Sequence, residues 1–122
     1  MLNRAFLITA LICVGFAMAS APDSFADDGL TAERLEQGKA LAFDRFKGNC
    51  LACHFVEGGE LTGNYGPPLI AMKIRYPDRA ELRSQISDAA IKNPDTRMPP
   101  FGRNRILNEE EIDLVTDYIH TL

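Results

Sequence analysis

The five residues Cys50-Leu51-Ala52-Cys53-His54 carry the most chemical potential in this chain. Two thiols with two residues between them can reach the two vinyl groups on one edge of a porphyrin. A histidine directly after the second thiol can turn under the ring plane and offer Nε2 to the iron. The spacing therefore predicts a covalently attached haem, with Cys50 and Cys53 as thioether links and His54 as one axial ligand. Three other chemistries compete for the same residues. A thioredoxin-like redox pair wants a βαβ setting, and no alternating strand pattern of useful length occurs here. A disulfide between residues three apart closes almost no loop and adds little stability. A zinc site needs four ligands, and adjacent Cys53 and His54 are badly placed to share one tetrahedral ion.

Haem iron has a further axial position. Beyond residue 26 the candidates are Met72, Met98 and His120. Met98 lies in Arg97-Met98-Pro99-Pro100-Phe101-Gly102, a loop stiffened by two prolines, and is the expected ligand. Met72 sits in the apolar run Leu69-Ile70-Ala71-Met72, where a core thioether is the simpler reading. His120, near the end of the last helical stretch, is expected to face solvent or to act as a helix-end cation. A methionine ligand raises the potential relative to two histidines and favours the reduced iron, which suits outer-sphere electron transfer. A ligating histidine usually donates its other ring N–H to a carbonyl or carboxylate. Gly66-Pro67-Pro68-Leu69 holds backbone carbonyls rigidly, and Pro67 is the expected acceptor. Arg103 and Arg105 follow the methionine loop and are the expected partners of the haem propionates.

Four helical stretches must position these groups. The first is expected from about Thr31 to Lys47, with Ala32, Leu35, Ala42, Phe43 and Phe46 along one side and Gly48 at its end. A short one is expected around Leu69 to Arg75. The third opens at Tyr76-Pro77-Asp78, with Asp78 and Glu81 at capping-box spacing. Leu82, Ile86 and Ala89 or Ala90 line its face, and Pro94 stops it. The last opens at Asn108 with Glu111 three residues on, and Ile112, Val115 and Ile119 share a side. Two loops, Glu57–Pro68 and Asn93–Leu107, hold most of the prolines. The class is all-α.

With 122 residues the chain has room for one domain, and its 46% hydrophobic and 25% charged residues are ordinary for a globular protein. A net charge of -4 argues against nucleic acid or an anionic membrane surface as the main partner. Residues 1–26 resemble a secretory signal: Arg4 leads, Ala5–Ala19 is apolar apart from Thr9 and Gly15, and Ser24 and Ala26 are small. Cleavage is expected after Ala26, with a cytochrome domain over residues 27–122. An uncleaved anchor would need roughly 20 apolar residues, and the run falls short of that. Cys13 would leave with the signal. No membrane span is expected in the mature chain, and export to the periplasm fits a haem attached outside the cytoplasm.

Taken together, Lys47-Gly48-Asn49-Cys50-Leu51-Ala52-Cys53-His54, Gly66-Pro67-Pro68-Leu69, Arg97-Met98-Pro99-Pro100-Phe101-Gly102 and the closing acidic helix resemble the SoxX family. These are the small monohaem subunits of the periplasmic sulfur-oxidation cytochrome complex. The resemblance implies a class I cytochrome c fold, whose N- and C-terminal helices cross, here with Ala42 and Phe46 against Tyr118. It implies one haem c with His54 and Met98 on the iron. It further implies a heterodimer with a larger cytochrome subunit, an L-cysteine S-thiosulfotransferase that joins thiosulfate to a carrier-protein cysteine. The chemistry would take place on the larger partner, and this chain would have no catalytic residue. It would pass electrons to a downstream acceptor cytochrome. Two other functions share the motif: a free shuttle cytochrome, which usually displays a ring of lysines, and a gas-sensing haem domain, which needs a labile sixth position.

Overall fold

The structure is a computed structural model that describes residues 29–122. The expected signal, 1–26, lies outside the described residues. Four α-helices follow in order: α1 (Ala32–Phe43), α2 (Met72–Arg75), α3 (Arg79–Ser87) and α4 (Glu109–His120). Two 3₁₀ turns, Cys50–Ala52 and Ala89–Ile91, lie between them, and no strand occurs among the described residues. The all-α expectation is met.

Helix α1 starts where Thr31 Oγ1 accepts the Arg34 N–H at 3.1 Å. It stops at Phe43, short of the expected Lys47. Asp44 turns extended, and its carboxylate takes the Phe46 N–H at 2.7 Å, a local bond that competes with another helical turn. Phe46 is consequently not at the helix crossing. It is 95% exposed, and Phe43 takes its place, meeting Tyr118 edge-on with ring centroids 6.1 Å apart.

The crossing of α1 and α4 is close because small residues line it. Ala42 is fully buried, and a Cβ on Gly38 would lie 2.8 Å from the Leu114 carbonyl carbon and 2.9 Å from Tyr118 Cβ. Asn108 and Glu111 form the capping box that opens α4, each side chain taking the other's backbone N–H at 2.8 and 2.9 Å. Ile112, Val115 and Ile119 then face the core, beside Leu82 and Ile86 of α3.

Helix α3 is capped by Asp78, which accepts the Ala80 N–H at 2.8 Å. Glu81 does not complete the expected box; its carboxylate pairs with Lys92. The helix ends at Ser87, well before Pro94, because Asp88 caps the next turn through the Ala90 N–H. The short helix α2 begins at Met72, after Ala71 in the left-handed region at φ 52°.

A stripe of carboxylates on α4 joins three helices. Buried Asp117 accepts from Arg34 of α1 and from Arg79 of α3, both at 2.5 Å. Arg79 also reaches Asp113 at 3.1 Å, and Arg83 bonds Asp113 at 2.8 Å and Glu109 at 2.7 Å. Glu109, Asp113 and Asp117 are four apart, as are Arg79 and Arg83, so the two helices meet rung by rung. The hydrogen bonds from Arg83 and then Arg79 hold the Asp113 carboxyl below its usual range, against the opposing effect of burial.

Candidate haem site

The attachment segment is held by tight local bonds. Gly48 donates to the Leu41 carbonyl at 3.0 Å, which folds the chain back onto the end of α1. A Cβ there would lie 2.7 Å from that oxygen, so the position requires glycine. Asn49 adopts a left-handed conformation at φ 48°, which asparagine tolerates better than most residues. The 3₁₀ turn Cys50–Ala52 follows, with the Cys53 and His54 N–H groups both bonded to the Cys50 carbonyl, at 3.2 and 2.9 Å. The motif thus sits on its own short turn, not at the end of the first helix. Cys50 and Cys53 are not bonded to each other. Burial pushes the Cys50 thiol up to about 11.

His54 lies against the Pro-rich loop. Its Nδ1 is 2.6 Å from the Pro67 carbonyl, which makes Nδ1–H the donor and leaves Nε2 available. A Cβ on Gly66 would lie 2.7 Å from Nδ1 and 2.9 Å from Nε2, with Cε1 closer still. Only a glycine lets the backbone come this near the ring. Bonds from Gly66 N–H to the Cys53 carbonyl (2.7 Å) and from Leu69 N–H to the Phe55 carbonyl (2.9 Å) stitch loop and motif together.

Cys50, Cys53, His54, Pro67 and Met98 all line one cavity of about 800 Å³, within the range of roughly 300–1,000 Å³ common for cofactor sites. Leu82, Ile86, Phe101, Ile106, Val115 and Ile119 make its walls apolar. Met98 is presented by a loop with several anchors. Its N–H bonds Thr96 Oγ1 at 3.2 Å, Phe101 is buried, and Gly102 donates to the Ser87 carbonyl at 2.9 Å.

The other expected residues fall differently. Met72 is buried in the core and also touches the cavity, with its sulfur 3.4 Å from Arg75 Nη1. His120 is not in the cavity wall and does not simply face solvent: its Nε2 lies 2.9 Å from the Tyr76 carbonyl. Arg103 and Arg105 are also outside the wall. Arg103 turns back onto Asp88 at 3.3 Å, and Arg105 is exposed on a turn at φ 55°. The cationic side chains that do line the cavity are Arg45, Lys47, Arg75 and Arg97. Three of these four lie outside helices, and Arg97 directly precedes Met98, so distance along the chain did not separate them from Arg103 and Arg105; the fold does. Among the described residues no group of three or more His, Cys, Asp or Glu is arranged to hold a metal ion.

An all-α domain with two thiols and a carbonyl-pinned histidine in one apolar cavity defines a protein that carries covalent haem. The donor set fits that group: thiols to bond its edge, an imidazole with Nε2 free, and a thioether on the same cavity. A family model for cytochrome c matches residues 35–122. The chain belongs to the cytochrome c family, with the class I fold and haem c as its cofactor. No curated protein matches it. Among the described residues no helix is long and apolar enough to cross a membrane.

Proposed function

We propose that this cytochrome is exported to the periplasm after cleavage at Ala26 and serves as the electron-accepting subunit of a thiosulfate-oxidising heterodimer. Cys50 and Cys53 hold its haem by thioether bonds, and His54 and Met98 are the axial ligands. The observation that carries the site is the 2.6 Å contact between His54 Nδ1 and the Pro67 carbonyl, beside both thiols. When bound, the haem supplies a one-electron Fe(III)/Fe(II) couple. The chain's own residues determine how it is held. Pro67 fixes the His54 tautomer and ring angle, the Pro99-Pro100 loop presents the Met98 thioether, and the apolar walls exclude water. A low-dielectric pocket and a thioether ligand both favour the less charged, reduced state.

The larger subunit would join thiosulfate to a cysteine of a carrier protein. A sulfur–sulfur bond forms, the thiol proton leaves, and two electrons pass out singly through this chain. The three resembling segments, Gly48-Asn49-Cys50, Gly66-Pro67-Pro68-Leu69 and Met98-Pro99-Pro100-Phe101-Gly102, support that assignment. The lysine distribution also favours a subunit over a free shuttle. Of Lys39, Lys47, Lys73 and Lys92, only Lys47 lines the cavity, and it is paired with Glu111 at 2.7 Å. Exposed Phe46 and Tyr65 at the cavity's edge suit a lasting interface.

Two measurements test this reading. Purification from periplasm should recover the chain with a second haem protein, and thiosulfate plus a carrier thiol should reduce its haem. A monomer without a haem-protein partner refutes the subunit assignment. Replacing Met98 by Ala should abolish the thioether–iron absorption and lower the potential, whereas Met72→Leu should leave both in place. The reverse pattern refutes Met98 as ligand.

A further inference from the structure

Arg75, the last residue of α2, lines the cavity and reaches back to the loop that holds the histidine. Its Nη1 donates to the Pro68 carbonyl at 2.7 Å. Pro68 directly follows the residue whose carbonyl meets His54 Nδ1. Prolines 67 and 68 have no N–H groups. The backbone bonds tying this segment to the chain around His54 are therefore those of Gly66 and Leu69, one on each side of the proline pair. Between them, Arg75 is the brace on the pair itself.

The brace has a firm base. The Met72 N–H donates to the Leu122 carbonyl at 2.7 Å, and the Tyr76 carbonyl meets His120 Nε2 at 2.9 Å. Both ends of α2 are thus tied to the C-terminal end of α4. The 3.4 Å contact with Met72 Sδ limits where the guanidinium can sit. A continuous set of bonds runs from α4 through α2 and Arg75 to Pro68, and from Pro67 to the imidazole.

We propose that Arg75 is a positioning residue for electron transfer: it holds the Pro67 carbonyl against His54 Nδ1 and thereby sets the donor strength of the ligating imidazole. This rests on the reading of His54 as an iron ligand. An acceptor at Nδ1 makes the imidazole a stronger donor to the metal, which favours ferric iron and lowers the potential. Releasing the brace weakens that bond and raises the potential. Loss of a nearby cation does the opposite, because positive charge disfavours the ferric state. Hydrogen bond and charge therefore have opposite signs and can be separated.

The test compares holo wild type with Arg75→Lys, Arg75→Gln and Arg75→Ala, and uses Lys73→Ala as a cation control on the same helix. In the reduced, diamagnetic protein, NMR gives the exchange rate of the His54 ring N–H, and a redox titration gives the potential. Lysine and glutamine keep a donor for Pro68, so their ring N–H should exchange at close to the wild-type rate. In Arg75→Ala exchange should rise about tenfold, as expected for loss of one charge-assisted hydrogen bond. Arg75→Ala and Arg75→Gln both lack the charge, yet the alanine variant should have the higher potential. Equal exchange rates in the two, or a potential in Arg75→Ala at or below that of Arg75→Gln, overturns the proposal. A wild-type spectrum without a haem-shifted His54 ring overturns the ligand assignment itself, and is recognised before any variant is compared.

Discussion

Replacing Gly38 by alanine sets two known effects against each other. Intrinsic propensity favours the change, since alanine is better than glycine inside a helix by about 1 kcal/mol. Packing opposes it. The new Cβ would lie 2.8 Å from the Leu114 carbonyl carbon and 2.9 Å from Tyr118 Cβ, with the carbonyl oxygen closer. Carbon atoms in good contact sit about 3.5–4.0 Å apart, so the shortfall is close to 1 Å, and it is against backbone. No side chain can rotate away. The helices must separate, which loosens buried Ala42 and the Phe43–Tyr118 ring pair. Overpacking of this kind costs about 1–3 kcal/mol, and a rigid clash belongs at or above the upper end. The net expectation is a loss of about 2 kcal/mol, or roughly 8–15 °C in Tm for a domain of this size. Thermal unfolding of the holo protein, followed by far-ultraviolet circular dichroism, measures it. Ala40→Gly, at an exposed position of the same helix, calibrates the propensity term and should lower stability by about 1 kcal/mol. If Gly38→Ala melts at or above the wild-type temperature, the close crossing of α1 and α4 is not as described.

Three further outcomes follow from other parts of the fold. Asp117→Ala leaves Arg34 and Arg79 facing each other without their shared carboxylate, and should destabilise the domain by about 3 kcal/mol, at the lower end for a buried pair because both arginines are partly solvated; chemical denaturation checks it. Ala71→Gly relieves a left-handed alanine at φ 52° and should stabilise by about 0.5–1 kcal/mol, read as a higher denaturation midpoint with an unchanged slope. Acid should unfold the protein in a window set by Asp113 and Glu111, the second held low by Lys47 and then by the Asn108 N–H. Their folded-state values lie below the unfolded ones, so their stabilisation is complete above about pH 4–5 and is lost as pH falls through the folded values. Asp113→Asn should flatten that acid limb in a pH series of melting curves.

That Cys50, Cys53 and His54 belong to one site was legible because they lie within five consecutive residues, and the structure puts all three on one cavity. The same holds for the Asn108–Glu111 box, where both partners lie in one turn, and for the apolar face of α4. Phe46 was misplaced because helical periodicity continues through Lys47, whereas one carboxylate, that of Asp44, captures an N–H and ends the helix early. Glu81 was misassigned for a related reason, since its spacing from Asp78 is right but Lys92 offers it a stronger partner. Gly38 carried a signal that was passed over: glycine inside a helix, four residues from Ala42, marks a close approach of another backbone. The matched stripes Arg79/Arg83 and Glu109/Asp113/Asp117 were also visible as spacings, but pairing them requires knowing that α3 lies along α4. Arg97, next to Met98 in the chain, does line the cavity, whereas Asp88 draws Arg103 away from it.

The ion pair between Arg34 and Asp117 spans 83 positions, nearly the full length of the described chain. Contacts that distant make the topology slow to assemble, because the entropy of closing so long a loop is lost before the contact repays it. On the proposed attachment, haem bonded at Cys50 and Cys53 would change that kinetic problem. The cofactor would become an apolar nucleus fixed within the first third of the described residues, on which the methionine loop and the last helix can condense through shorter intermediate loops. Covalent attachment at these thiols would therefore act as a folding step as well as a means of retaining the iron.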